Sequence, residues 1–435
     1  MADILPAAPR LPLRVILLFS TSSFGSEALS QARNLWLVYY YAPPADADRT
    51  ALLKLGAVGA ILFASKLLEA FDDALIGYWS DRTRSRLGRR LPFILLATPL
   101  WALFAFLLFI PPEGSGSLTI GLYLFIIYEL YSVFSTLSGG PYEALLPEIA
   151  RSSTDRVRLI SIRVYFGVAG ATAGLVLTGL LKDAFGFQVM ALATAVLALA
   201  ARYAGMFGVW KHVDRDQPPA TLSLRESLRS TFSNSNFLCF LPTFVLFQAG
   251  VAMLIGVLPY YVNAVLGRED EGTWVSILTA VAIGAMLLAV PWFARLARRR
   301  STSLAFSWAM LGAAATFPLL FVAGYIPGVP KEAQIIVTLA LIGAPLAGVY
   351  LFPAALTADI CDDDERQTGM RREATFFGAQ NFVEKAAGSL SPLLLALVLL
   401  LGSSEGNPLG IRLVGPVAGL MTLGGYLIFR RYELE

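Results

Sequence analysis

Long apolar runs recur along the whole of this chain and constrain its fold more than any other feature. Twelve runs reach or approach the roughly 20 residues that an α-helix needs to cross a bilayer. They are continuously apolar, whereas a membrane β-barrel would show short segments of alternating polarity. The sequence therefore predicts an all-α integral membrane protein with twelve transmembrane helices, at 14–41, 51–79, 92–110, 118–145, 160–181, 187–210, 236–265, 273–296, 301–323, 333–358, 374–400 and 410–431.

The composition excludes an ordinary soluble fold and most catalytic chemistry. Of the 435 residues, 56% are hydrophobic and 15% are charged, against about 25% charged in soluble domains. The chain has two cysteines, Cys239 in an apolar run and Cys361 in a predicted charged loop, and one histidine, His212. We therefore expect no disulfide framework, no multi-cysteine metal site and no histidine-based catalysis. The net charge of +3 gives no indication of a nucleic-acid partner.

Basic residues are distributed unevenly among the predicted loops and indicate the orientation. Arginine and lysine cluster after the even-numbered spans, as at 82–90, whereas the loop at 111–117 has neither. Because basic residues are enriched in cytoplasmic loops, we expect both termini to be cytoplasmic. No cleavable signal is visible before the first span. The expected location is the bacterial inner (plasma) membrane, with a multi-pass topology.

The two parts of the chain resemble each other. The segment PYEALLPEIARSSTDRVRLISIR at 141–163 is echoed by PAALTADICDDDERQTGMRRE at 353–373, and each follows a predicted span with proline, an acid and arginines. The longest polar segment, 211–235, separates the two parts. We predict six-helix halves at 1–210 and 236–435, joined by a cytoplasmic linker. Such a parallel repeat is typical of major facilitator transporters.

The second predicted span carries an unusual load of charge. Lys66, Glu69 and Asp73 share one helical face, and Asp72 lies about 100° away. A charge at the centre of a span costs at least ~2.5–3.5 kcal/mol, so we expect these acids to serve a polar cavity. Carboxylates suit Na⁺, and a close pair can instead share a proton. A structural pair in which Lys66 merely neutralises Glu69 is the alternative.

Charged residues in other spans are candidates for binding a solute. We expect Glu27, Lys385, Arg163 and Glu143 to face a substrate cavity. Arg163 stands near the start of its span, so an interfacial anchor is an alternative for this residue.

The segment GYWSDRTRSRLGRR at 77–90 is a candidate gate. Gly77 permits close helix approach, and Asp81 can pair with arginines such as Arg82 and Arg89. We predict that these residues latch one transport state. A simple cytoplasmic anchor would explain the arginines but not the Gly–Asp spacing.

These motifs resemble the glycoside-pentoside-hexuronide:cation symporters, the melibiose permease-like family of the major facilitator superfamily. The likeness spans nearly the whole chain, and its most specific stretches are the second-span acids followed by DRTRSRLGRRLP, the PYEALLPE segment, and ADICDDDERQTGMRREATFFG. The resemblance implies a cation site at Glu69 and Asp73, with Asp72 beside them and the Thr136 hydroxyl as a further ligand. It also implies sugar-binding roles for Glu27, Arg163 and Lys385.

Two positions depart from the family's galactoside site. Gly139 and Glu143 stand where that site has an Asp and a Trp, so the acid and the aromatic surface are missing. Another relative carries lysophospholipids, and Arg163 with Lys385 could hold a phosphate or carboxylate. The substrate expected is a sugar or glycoside, with a lysophospholipid or other anion as the alternative.

The function expected from these observations is a symporter coupled to Na⁺ or H⁺ that works by alternating access. Its partners would be the solute, the coupling cation and the lipid bilayer, without nucleic acid, and it would act as a monomer. We expect no cofactor and no metal beyond Na⁺ at Glu69 and Asp73. A membrane-embedded enzyme and a channel are the rival classes. The sequence offers no phosphate-binding glycine loop for the first, and its buried acids in two related halves argue against the second.

Overall fold

The computed structural model is helical throughout most of the chain that it describes. It describes residues 11–45, 47, 49–82, 85, 87–88, 90–150, 153–212, 234–368, 376, 380, 388 and 390–432, with the backbone alone at 70–82, 147, 153–154, 156–157, 349 and 368. Within these residues the only β-pairing is an isolated bridge between Ser404 and Asn407. The helices are α1 (Leu13–Tyr41), α2 (Leu55–Arg82), α3 (Leu91–Leu107), α4 (Ser117–Ala144), α5 (Leu146–Ile149), α6 (Ser153–Val209), α7 (Ser235–Tyr261), α8 (Glu271–Arg299), α9 (Thr302–Thr316), α10 (Leu319–Val322), α11 (Lys331–Leu351), α12 (Pro353–Thr368), α13 (Leu390–Leu399) and α14 (Leu409–Phe429).

Several helix boundaries differ from the sequence prediction. The predicted fifth and sixth spans form the single helix α6, which is broken at Gly186, where φ is +82°. Glycine enters this left-handed region without the steric cost that a Cβ imposes. The segment after residue 358 was predicted to be a loop, which is wrong, because α12 continues to Thr368. Cys361 is consequently buried within a helix rather than placed in a charged loop.

The helices carry the apolar surface that a bilayer requires. In the described part of the chain, seven helical segments are long and apolar enough to cross a membrane, and α3 and α13 are shorter apolar helices. Large apolar side chains such as Leu118, Leu288 and Trp308 are exposed on these helices, as expected where lipid replaces water. The protein is therefore an all-α membrane protein, while the count of twelve spans remains a prediction.

The chain divides into two compact units by its internal contacts. The N-terminal unit comprises residues 1–33 and 71–221, and the C-terminal unit comprises 34–70 and 222–435. The predicted division into six-helix halves at 1–210 and 236–435 remains a prediction, as does the role of 211–235 as a linker.

In the N-terminal unit, α3 packs against α4 and α6, and α6 lies very close to α1. A Cβ on Gly170 would lie 2.1 Å from the carbonyl oxygen of Phe24, and one on Gly174 would lie 2.4 Å from that of Ala28. Glycine at these positions lets the two backbones touch, as small residues do between membrane helices. This contact fixes which residues of α1 and α6 face each other.

In the C-terminal unit, α8 packs against α11, and α7 packs against α14. Phe306 of α9 lies at the centre of an aromatic cluster whose other members are Phe240, Phe247, Phe352 and Phe429. The buried Arg412 of α14 donates from Nη1 to the carbonyl oxygens of Phe321 and Ala323, at 2.9 and 2.7 Å. These carbonyls lie at the end of α10, where the last turn of a helix lacks partners within the helix, and the Ala323 oxygen also accepts from the Tyr261 hydroxyl at 3.2 Å. The role of Arg412 is therefore structural.

Candidate functional site

Arg163 is the centre of a polar cluster inside the N-terminal unit. Its Nε donates to the hydroxyl of Ser23 on α1 at 3.2 Å, and its Nη2 forms an ion pair with Glu143 on α4. Its guanidinium also lies 5.5 Å from the ring of Phe19. Three helices, α1, α4 and α6, thus supply polar groups to one place. The predicted residues Arg163 and Glu143 are brought together.

The two members of this ion pair differ in exposure. The Arg163 side chain is 18% exposed and that of Glu143 is 58% exposed. The arginine is therefore fixed by its surroundings, while carboxylate surface on Glu143 stays open to another hydrogen-bonding group. Arg163, on α6, thus contacts residues of two neighbouring helices, α1 and α4, and its role in substrate binding stays a prediction.

Glu27 lies on the same helix as Ser23, one turn further along. Its side chain is exposed, and its Cγ lies 3.7 Å from where a Cβ on Gly167 would stand. Gly167 precedes the close-contact Gly170 by one turn of α6. Glu27 and Arg163 therefore lie on helices that touch, about one turn apart.

Arg202 was missed by the sequence analysis and lies at the same cluster. Its Nη2 donates to the Ser26 hydroxyl at 2.8 Å, and its guanidinium lies 4.9 Å from the ring of Trp101 and 5.2 Å from that of Tyr142. The signal that could have revealed it is an arginine within the apolar stretch LALAARYAG of α6. This arginine stands alone in the sequence, without a neighbouring acid.

Aromatic contacts fix the wall of the cluster on α4. Tyr142 stacks on Phe19 with ring centroids 4.6 Å apart, and its hydroxyl donates to the Phe19 carbonyl oxygen at 2.7 Å. One turn before Glu143, Gly139 offers only backbone to Arg202, since a Cβ there would lie 3.6 Å from its Nη1. Gly139, which has no side chain, thus faces the guanidinium of Arg202.

The predicted cation site is described only in part. In the C-terminal unit, Lys66 Nζ lies 3.5 Å from Glu69 Oε2, and the two side chains are 14% and 16% exposed. The negative charge of Glu69 is therefore balanced by Lys66 in this conformation, as the structural alternative requires. Thr136 is buried on α4 of the other unit. Asp72 and Asp73 lie in α2, but their side chains are outside the described residues, so the cation site stays a prediction.

The remaining predicted residues are also outside the described side chains. Gly77, Asp81 and Arg82 lie in the last turns of α2, where the backbone alone is described, and Arg89 and Lys385 lie outside the described residues. At the nearby start of α3, Arg90 Nη1 lies 2.8 Å from Glu148 Oε1 of α5, and both side chains are buried. This ion pair was not predicted.

The cluster is suited to binding rather than to catalysis. Guanidinium and hydroxyl groups donate hydrogen bonds, and carboxylates accept them, so Arg163, Glu143, Glu27 and Ser23 together match a polar solute. Across the residues described, no group of three or more His, Cys, Asp or Glu side chains is placed to hold a metal ion.

Known proteins similar to this chain are transporters. The family described as MFS/sugar transport protein matches residues 18–403. The uncharacterised symporter sll1374 of Synechocystis sp. is 23% identical over 98% of this chain and 95% of its own length. The isoprimeverose transporter of Lactiplantibacillus pentosus is 22% identical over 89% of this chain and 80% of its own length. The sodium-dependent lysophosphatidylcholine symporter 1 of Mus musculus is 32% identical over 27% of this chain and 23% of its own length.

Solved structures share the fold. A crystal structure of the peptide transporter POT in complex with sulfate superposes with a TM-score of 0.68, over 97% of this chain and 95% of that one, at 13% sequence identity. At this identity the likeness concerns the fold alone. The predicted resemblance to the glycoside-pentoside-hexuronide:cation symporters is confirmed by the family match and the relatives. The chain belongs to the MFS/sugar transport protein family, a group of multi-pass membrane transporters and not of enzymes.

Proposed function

We propose that this protein is a symporter that couples the movement of a sugar or glycoside to that of Na⁺ or H⁺ by alternating access. The observation that carries this proposal is the cluster of Arg163, Glu143 and Ser23 inside otherwise apolar helices. Charged side chains within a bilayer are costly and usually mark the path of a solute. Three helices converge on this cluster, so movement of any of them changes its geometry.

The chemistry of the cluster fits a polyhydroxylated solute. A sugar hydroxyl both donates and accepts hydrogen bonds, so it can donate to Glu143 and accept from Arg163 at adjacent atoms. The exposed side chain of Glu27, one turn away, offers further acceptors. We assign Lys385 to the same role on the strength of the family resemblance. The isoprimeverose transporter, which aligns along most of the chain, supports a sugar as the substrate.

We assign the coupling ion to Glu69 and Asp73 of α2, with Asp72 and the Thr136 hydroxyl as further ligands. A cation that binds Glu69 must compete with the Lys66 ammonium, which already forms an ion pair with this carboxylate. The driving force for accumulation is about 2.3 kcal/mol per charge per 100 mV of membrane potential, plus the ion's concentration term. We place the protein in the plasma membrane as a monomer, with both termini cytoplasmic and the gate at Gly77, Asp81, Arg82 and Arg89.

A second candidate keeps the mechanism and changes the solute to a lysophospholipid or another anion. It is favoured by the stretch that is 32% identical to the mouse lysophosphatidylcholine symporter. The arginines of the cluster are also suited to phosphate or carboxylate oxygens. A panel of sugars, uronates and lysophospholipids, each tested for thermal stabilisation of the protein with and without Na⁺, separates the two candidates.

Ion-driven uptake with an Asp73→Asn variant tests the proposal. In sealed proteoliposomes we expect wild-type protein to accumulate the solute when a Na⁺ or H⁺ gradient is imposed. The variant should lose accumulation, because the amide removes the charge that attracts the cation. Asp183→Asn is the control, since it makes the same chemical change at an aspartate that lies between the predicted fifth and sixth spans and pairs with Lys182 at 3.0 Å.

The same uptake assay also gives the results that would refute the proposed function. Wild-type accumulation by Asp73→Asn would refute the cation site while leaving transport intact. Uptake that no ion gradient stimulates would refute symport itself. Currents far above the turnover of a carrier would instead indicate a channel.

A further inference from the structure

Arg202 is a buried charge that the proposed sugar site does not use. It lies in the apolar second half of α6, seven residues before the helix ends at Val209, or about 10 Å along the axis. The residue is 5% exposed. Arginine keeps its charge in proteins, so a full positive charge is held here inside the helix bundle of the N-terminal unit.

The contacts of Arg202 leave much of its guanidinium without a partner. Nη2 donates to Ser26, but Nε and Nη1 are buried and make no hydrogen bond to any group that the structure describes. The faces of Trp101 and Tyr142 attract the cation, yet they do not satisfy the N–H groups at its edge. Buried donors in native proteins nearly always have a partner, so the missing one needs an explanation.

The side chains that the structure describes around Arg202 do not supply that partner. Glu143 is within electrostatic range of Arg202, but its carboxylate is paired with Arg163. Arg163 is itself in range and carries the same charge. The Tyr142 hydroxyl donates to the carbonyl oxygen of Phe19. Two guanidinium groups therefore share one carboxylate.

The position that faces Arg202 from α4 carries no side chain. A Cβ on Gly139 would lie 3.6 Å from Nη1, which is an ordinary contact distance. An acid at this position would reach the guanidinium and neutralise it, but this chain has glycine. On the α4 side, Nη1 of Arg202 therefore faces the backbone of Gly139 and no side chain. This position is next to the cluster of Arg163 and Glu143.

We propose that Arg202 is a specificity-determining residue that binds an anionic oxygen group, a carboxylate or a phosphate, carried by the solute. The proposal rests on the transport function proposed above and adds the chemical class of its solute. A carboxylate or phosphate oxygen forms a strong, charge-assisted hydrogen bond with a guanidinium N–H. Nε and Nη1 lie on different edges of the guanidinium, and an anionic oxygen at either one would give a buried donor the partner that it lacks. A sugar hydroxyl can accept a hydrogen bond from these donors, but it brings no negative charge to balance the buried guanidinium. A site of this kind therefore favours an anionic solute over a neutral sugar.

Binding to the full-length protein in detergent tests this assignment without any ion gradient. The probes are glucuronate, glucose 6-phosphate and glucose, with lysophosphatidylcholine as a fourth arm, and Trp101 beside Arg202 supplies a fluorescence signal. We expect wild-type protein to bind at least one anionic probe about 10-fold or more tightly than glucose. The probe that binds most tightly shows whether the solute carries its anionic group as a uronate, a sugar phosphate or a lysophospholipid.

Variants separate binding from folding. Arg202→Gln should reduce the preference for the anion to about 1, and Arg202→Lys should restore part of it. Gly139→Asp places a carboxylate of the protein beside Arg202 and should also abolish the preference for the anion. Gly139→Asn, whose side chain has the same shape as aspartate but no charge, should keep that preference. Since Gly139→Asp pairs the buried charge, it should unfold at a higher temperature than Gly139→Asn.

Two results would overturn the assignment. The first is equal or weaker binding of every anionic probe relative to glucose by the wild-type protein. The second is an unchanged preference in both Arg202→Gln and Gly139→Asp. If anions bind as expected but no gradient drives uptake, the transport proposal fails while the role of Arg202 in binding stands.

Discussion

The buried ion pair between Arg90 and Glu148 allows a quantitative prediction. Arg90 immediately precedes α3, and Glu148 lies in the short helix α5 that follows α4. Their atoms Nη1 and Oε1 are 2.8 Å apart, and the side chains are only 10% and 2% exposed. The pair therefore connects the start of α3 to α5 within the N-terminal unit.

Replacing Glu148 by glutamine should be strongly destabilising. At 2.8 Å and an effective dielectric constant of about 20, the gross attraction is roughly 6 kcal/mol, part of which offsets the cost of burying both charges. The variant removes the negative charge that Glu148 places beside the buried Arg90, and the loss of one partner of a buried ion pair costs about 3–5 kcal/mol. We expect Glu148→Gln to lower the free energy of unfolding by that amount.

A double-mutant cycle in mixed detergent micelles, with unfolding followed by tryptophan fluorescence, measures the pair directly. Arg90→Gln combined with Glu148→Gln removes both charges, so we expect the double variant to be more stable than the sum of the single effects by about 2–3 kcal/mol. Glu332→Gln is the control. Its partner Arg268 lies 2.5 Å away, but the pair is solvent-exposed, so only a small change is expected.

Either of two results would refute this reasoning. A loss below about 1 kcal/mol in Glu148→Gln would show that Arg90 does not depend on this carboxylate. Independent effects of the two substitutions would show that the charges do not interact, whatever their separation.

Two further substitutions test the packing of each unit. Gly170→Ala should destabilise the protein by about 1–3 kcal/mol, because its Cβ would lie 2.1 Å from the Phe24 carbonyl oxygen. Gly140→Ala should be tolerated, since no described atom outside its own stretch of α4 lies within 4 Å of its Cβ position. Equal thermal stability of the two variants would contradict the close approach of α1 and α6. Arg412→Gln should cost about 2–3 kcal/mol, because it removes charged hydrogen bonds to two buried carbonyls. A melting temperature that is unchanged by this substitution would show that other groups satisfy those carbonyls.

The sequence determined the class of the protein and the positions of most of its helices. Hydropathy is a local property that sums along the chain, so runs of apolar residues marked the helices before any contact was known. The boundaries of α1, α4 and α14 differ from the prediction by only one or two residues. The motifs around 77–90 and 141–163 also indicated the family, because their residue order is preserved in the linear sequence.

Only the tertiary structure decided which charged side chains meet. Lys66 and Glu69 pair within one helix, which their spacing of three residues could foretell. The meeting of Arg163 with Glu143, and the isolation of Arg202 beside Gly139, depend on how α1, α4 and α6 are rotated. That rotation is set by close contacts such as the one at Gly170, between residues more than a hundred positions apart. Since such contacts are non-local, no spacing along the chain encodes them, and the polar cluster takes its form from helix packing.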